Sequence, residues 1–171
     1  IPARPLVRKW TVEDFAGSLG DIDKNRDLAR GKSLFAAASC IKCHRLAGRG
    51  TLIGPDLTAV GSRFSRRDLL DAIVTPSKVI AEKYRSIQVV TTAGKSFVGQ
   101  TALGGDYRSP ILRLATDPLN PFKLTEINKV DIELQRDAPT SWMPAGLIDT
   151  LSREEILDLL AYIESRGVAA K

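Results

Sequence analysis

Cys40-Ile41-Lys42-Cys43-His44 decides how this chain is read. The two thiols stand about one helical turn apart, close enough to reach the two vinyl groups on one edge of a porphyrin. The adjacent imidazole projects toward a metal at the ring's centre. C-x-x-C-H is the attachment signature of a c-type haem. Cys40 and Cys43 would hold the ring by two thioether bonds, and His44 would hold the iron.

Three other readings fit less well. A thioredoxin-type redox pair needs its C-x-x-C at a strand-to-helix junction, whereas the segment before Cys40 reads as helix. A zinc site needs four ligands, and two cysteines with one histidine leave it one short. A disulfide across two residues closes too small a loop to stabilise much.

Hydrophobic content of 43% and charged content of 26% are those of a globular protein rather than a disordered or fibrous one. A chain of 171 residues forms one domain, or one with a large insertion. Aromatic content is only 6%, and a porphyrin would supply some of that missing apolar bulk. No apolar run approaches the roughly 18 to 20 residues of a membrane span. The start, Ile1-Pro2-Ala3-Arg4-Pro5, has no apolar leader, so a signal peptide has been removed or the chain was cut from a larger protein.

Beyond the motif, Gly31-Lys32-Ser33-Leu34-Phe35, Gly54-Pro55-Asp56-Leu57 and Met143-Pro144 make the chain resemble a class I cytochrome c. Longer strings narrow the resemblance: Gly48-Arg49-Gly50, Asp68 to Ile73, Pro76 to Tyr84 and Asp158 to Ile163 are similar to the haem-binding domain of planctomycetes and their relatives. It runs from about Arg30 to Arg166, and residues before Asp23 lie outside it. The resemblance implies a mainly α cytochrome c fold and an exported, periplasmic electron-transfer module rather than an enzyme. Such modules often end large proteins, some of them membrane-bound dehydrogenases.

The resemblance also implies site residues. The carbonyl of Pro55 should accept the proton on the far nitrogen of His44, and Leu57 should pack on the haem face. Met143, the only methionine, sits about ten residues before the last helix, where this family places its thioether ligand. His44 and Met143 are thus the expected axial pair, a combination that raises the haem potential relative to harder ligands. Trp142 and Tyr84 are candidates to line the haem edge or reach a propionate, or are core aromatics.

Three helices are expected. The first spans Asp23 to Ala38, with Gly31 and Phe35 packed against Leu160 and Ile163. The second opens at Ser65 with Asp68 as its capping partner and stops before Pro76. The last opens on the capping box Ser152-Arg153-Glu154-Glu155 and ends before Gly167. Between them, Ile87–Thr92 and Lys95–Thr101 read as a hairpin about Ala93-Gly94. Two further β-like runs, Ile111–Ala115 and Val130–Leu134, follow the turn-rich Gly104-Gly105-Asp106 and Asp117–Pro121. The organisation expected is an N-terminal extension over 1–22, a haem domain over 23–83 and 138–171, and an inserted small β-sheet or barrel over 84–137, between the haem-binding helices and the Met143 loop.

The net charge of +5 is concentrated. Between Cys40 and Arg67 six basic residues (Lys42, Arg45, Arg49, Arg63, Arg66, Arg67) face one acid, Asp56, and account for the whole excess. A basic surface beside a haem suits steering toward an acidic redox partner; a solvated face with Arg49 or Arg63 on the propionates is the plainer reading. No helix-turn-helix, zinc finger or aromatic-interleaved basic stripe points to nucleic acid. Electron transfer is the leading function, and a gas-binding haem protein with a labile Met143 the alternative. A peroxidase would lack its distal base, since the chain has a single histidine.

Overall fold

The computed structural model describes residues 4–102 and 108–167. The chain divides into two units, Ile1–Pro76 with Ala145–Lys171, and Ser77–Pro144.

The first unit is built on three helices. Helix α1, Leu28–Ala37, starts where the Asp27 side chain accepts from the Arg30 N–H at 2.8 Å, and so begins five residues later than its apolar pattern suggests. Leu19–Asp23 forms a separate 3-10 turn. Helix α2, Arg66–Val74, has the expected capping box between Ser65 and Asp68 and stops at Thr75, before Pro76. Helix α3, Arg153–Glu164, has the box between Ser152 and Glu155, and Gly167 turns the chain beyond it at φ 74°. Both boxes satisfy N–H groups that a helix start leaves open.

Helices α1 and α3 pack through Gly31, whose nearest neighbours are Asp158 and Tyr162. A Cβ at Gly31 would lie 2.3 Å from the Asp158 carbonyl and 2.7 Å from the Tyr162 Cβ. Phe35 meets the Tyr162 ring edge-on, with centroids 6.1 Å apart. Asp158 and Tyr162 are one turn apart and share a face, so they receive Gly31, while Phe35 lies in one core cluster with Leu160 and Ile163. Asp158 is buried, and its carboxylate is met by Arg30, Arg26 and the Asp27 N–H. A buried carboxylate is retained only when paired in this way.

The N-terminal stretch is part of this core rather than an extension beside it. Trp10, Val12, Phe15 and Ile22 are all buried. The Trp10 indole donates to the Leu151 carbonyl at 3.0 Å, its ring lies 5.1 Å from that of Phe15, and the Arg153 guanidinium caps both. Trp10→Ala should lower unfolding stability by roughly 3 kcal/mol or more, the usual cost of a large buried aromatic. Chemical denaturation would check this, and an unchanged midpoint would show that the segment merely lies on the surface.

The second unit makes the chain mixed α and β rather than plainly a mainly α fold, and its sheet falls in the stretch where a small β-module was expected. Its strands are β3 Ile87–Thr91, β4 Ser96–Thr101, β5 Ile111–Ala115, β6 Leu124–Asn128 and β7 Ile132–Asp137; two short strands, β1 Arg45–Leu46 and β2 Arg49–Gly50, belong to the first unit. The five form one antiparallel sheet in the order β6-β5-β4-β3-β7. The β3–β4 hairpin turns at Gly94, φ 75°, as its sequence indicates. Strand β6 was not expected, and β7 starts two residues later than its apolar run because Lys129–Asp131 forms a 3-10 turn. The Gly104-Gly105-Asp106 turn lies outside the described residues.

One face of the sheet carries the core, with Val89, Leu114 and Ile127 buried and Ile87, Phe97, Leu112 and Ile132 packed against them. The first and last strands pair, Ile87 opposite Asp137, and the Ala138 N–H bonds the Ser86 carbonyl at 2.8 Å. The sheet therefore takes in the chain and releases it at one place. The Ser141 N–H then donates to Ser77 Oγ at 3.0 Å, holding the exit segment against the entry segment.

Candidate functional site

Two residues beyond helix α1 stands Ser39, whose left-handed backbone, φ 62°, turns the chain into a single 3-10 turn over Cys40–Lys42. The Cys43 and His44 N–H groups both bond the Cys40 carbonyl, at 3.2 and 2.9 Å. This short turn sets both cysteines and the histidine on one compact segment. A helix rather than a strand leads into it, which removes the thioredoxin-like context.

The cysteines form no disulfide. Cys40 is half-buried and packed against the hydrophobic core, and burial pushes its thiol up to about 12. Burial raises Cys43 as well. A redox C-x-x-C needs the reverse, a thiol lowered into the thiolate form. Among the described residues no group of three or more His, Cys, Asp or Glu side chains could hold a metal ion, which leaves no zinc cluster.

His44 is oriented from two sides. Its Nδ1 lies 2.9 Å from the Pro55 carbonyl, which can only accept, so the proton sits on Nδ1 and Nε2 keeps its lone pair. Gly54 lies flat against the ring: a Cβ there would come within 2.7 Å of Cε1 and 2.9 Å of Nδ1. Burial pulls His44 below its ordinary pKa, and the Pro55 bond opposes that shift. The neutral imidazole is the form that binds a metal.

The segment behind this ring closes on itself. The Gly54 N–H bonds the Cys43 carbonyl at 2.7 Å, the Leu57 N–H bonds the Arg45 carbonyl at 2.8 Å, and Thr51 Oγ1 donates to the Lys42 carbonyl at 2.6 Å. Strands β1 and β2 pair around Ala47 and Gly48, both at positive φ, a tight hairpin turn. Leu57 is half-buried against the core, and Pro55 is exposed apart from its carbonyl contact.

These residues fit a covalently attached haem. Two thiols and a tautomer-fixed imidazole form its donor set. The buried Nε of Arg45, next to His44, has no hydrogen-bond partner, an opening that suits a cofactor bearing carboxylates.

Trp142 and Met143 belong to the other unit. Trp142 is buried with its indole N–H unpartnered, and Met143 is half-buried, its N–H donating to Ser141 Oγ at 3.1 Å. Tyr84 offers its backbone carbonyl to the Gln100 amide at 3.1 Å.

The expected basic surface is smaller than the sequence suggests. Arg66 is a clamp inside the first unit, bonded to Glu164 at 3.0 and 3.1 Å, to Asp23 at 2.8 Å and to the Leu19 carbonyl at 3.2 Å. The hydrogen bonds it donates to Asp23 and Glu164 raise its already high pKa. Arg67 pairs with Glu13 at 3.1 Å. Arg49 and Arg63 are exposed, Arg63 lying over the Phe64 ring. Sequence reasoning missed these partners because Asp23, Glu164 and Glu13 lie far away along the chain.

The family model Cytochrome c matches residues 28–89. That stretch takes in α1, the attachment segment, α2 and the start of β3, while Met143 and α3 lie beyond it. The C-x-x-C-H of a c-type haem falls inside the match, so the group these residues carry is a covalently bound haem with its iron. No curated protein matches the chain.

Proposed function

We propose, from the premise that residues 28–89 form a cytochrome c domain, that the chain passes single electrons through one haem whose iron His44 and Met143 hold. The observation that carries this reading is the 2.9 Å bond from His44 Nδ1 to Pro55, which leaves Nε2 as the metal-directed atom beside two attachment thiols. Leu57 would cover the haem face, and Trp142 would offer its unpartnered indole N–H to a propionate. Bound in this set, the haem supplies a one-electron iron couple whose potential a thioether raises. The chain's own task is to hold His44 in one tautomer and limit water around it, so that little has to rearrange when the charge changes.

Residues 84–137, within the unit Ser77–Pro144, are read as a module inserted between the haem-binding helices and the Met143 loop. The meeting of its first and last strands supports that, since a module with adjacent ends disturbs its host least. The planctomycete-type resemblance supports an exported, periplasmic carrier, the terminal domain of a dehydrogenase, that exchanges electrons with an acidic partner. Among the described residues no helix is long and apolar enough to cross a membrane.

A second reading, a gas-binding haem protein with a labile Met143, draws on the assignment of Met143 and His44 to different units. One experiment separates the two. The oxidised protein should show the near-infrared sulfur-to-iron band, and the reduced protein should resist CO. Met143→Ala should abolish the band, admit CO and lower the potential by on the order of 0.1 V, within the ~0.8 V that axial ligands span. Ready CO binding by the unaltered protein would favour the second reading.

A further inference from the structure

A groove of about 520 Å³ opens on the first unit, and neither the cysteines nor His44 line it. Its floor is apolar, formed by Phe35, Leu46 and Tyr162, all otherwise buried. One wall is the outer side of α1, where Ser33 and Ala36 are small enough to leave the space open; the other is Ile41, between the two attachment cysteines. Its only charged lining residues are Lys32 and Arg49, both exposed, and neither forms an ion pair with a described residue.

Acids on the surrounding elements do not offset that charge. Helix α1 has none. On α3, Asp158 is buried beneath Arg30 and Arg26, Glu164 is bound to Arg66, and Glu154 and Glu155 pair with Arg26 and Arg4. Asp56, the acid of the attachment segment, accepts from the Thr58 N–H and does not line the groove. An apolar floor under a wholly basic rim selects a ligand of the opposite build: apolar side chains flanked by carboxylates.

We propose that this groove is where the electron-exchanging partner docks, by seating one or two leucine-sized side chains of an acidic segment between Lys32 and Arg49. The inference rests on the electron-transfer reading, and Ile41 gives it its point. A partner seated there lies against the residues that join the two cysteines, and so next to the bonded edge of the haem. The size suits the occupant, since 520 Å³ lies within the range of built ligand sites and exceeds what one side chain fills. Lys32 and Arg49, rather than the internally paired Arg66 and Arg67, carry the steering charge.

The test uses the haem-loaded chain and a fluorescent heptapeptide with two leucines among five aspartate and glutamate residues. Anisotropy should report saturable binding that weakens as salt rises. Amide shifts in an isotopically labelled sample should map to Lys32–Ala36, Ile41 and Arg49. Lys32→Glu with Arg49→Glu should weaken binding about tenfold and remove its salt dependence. Ala36→Trp, which fills the groove, should weaken it at least as much, and a peptide with serines for leucines should bind no better. The absence of saturable binding, shifts centred on α2 or Arg63, or variants that bind like the parent would each overturn the proposal. Voltammetry of the same samples keeps the two readings apart. A reversible one-electron wave without peptide binding rejects the groove alone, whereas peptide binding in the groove with no wave supports the docking surface and rejects the electron carrier.

Discussion

Replacing Cys40 and Cys43 together by alanine should give a chain with no haem that survives acid-acetone extraction, where the parent should retain all of its colour on the polypeptide. The 3-10 turn at Cys40–Lys42 presents both thiols from one short segment, so each single replacement should leave one thioether rather than none. The visible spectrum of the denatured, reduced pigment counts those bonds, because each saturated vinyl group moves the main band. Haem lost from the parent on extraction would remove the basis of every reading of this site. The double variant should also be less stable, since a ligand bound only by the folded state adds its binding energy to folding.

The second large effect is expected at Gly31. Any side chain there meets the Asp158 carbonyl at 2.3 Å, and that contact is backbone on a helix fixed by Leu157, Leu159 and Leu160, all almost wholly buried. Gly31→Val should cost roughly 3 kcal/mol or more, the upper end of overpacking. That is a large share of the about 5 to 15 kcal/mol that holds a domain together. Gly20→Ala is the contrast, because a Cβ there meets nothing within 4 Å. Its unfolding midpoint should stay within about 1 kcal/mol of the parent in a urea titration. Similar losses at both positions would mean that α1 and α3 separate more easily than their packing suggests.

What could be read in advance was what short-range chemistry decides. C-x-x-C-H and the two serine-headed capping boxes each depend on residues three or four apart, and both helix starts lie where the sequence puts them. The β3–β4 hairpin was equally legible from two β-rich runs about Ala93-Gly94. Strand β6 was not, because Leu124-Thr125-Glu126-Ile127-Asn128 has a single buried apolar side chain and follows a run of turn residues. Trp10 and Phe15 looked peripheral because the surface that buries them comes from Leu151 and Arg153, some 140 residues on. Arg66 looked like part of a docking face for the same reason: its partners stand 43 and 98 residues away. The Pro55 carbonyl was foreseen by resemblance, whereas the pressure of Gly54 on the imidazole needed coordinates.

The attachment segment has a place in time as well as in space. Its bonds join residues near in sequence, with His44 and Pro55 only 11 apart, while Arg30 and Asp27 reach Asp158 across 128 and 131 residues. The entropy of closing a loop rises with its length, and contacts between distant residues form late. The turn that presents both thiols and the imidazole can therefore assemble while α3 is still unfolded or not yet synthesised. Attachment of a haem at this segment would then not have to wait for the remote helix to dock.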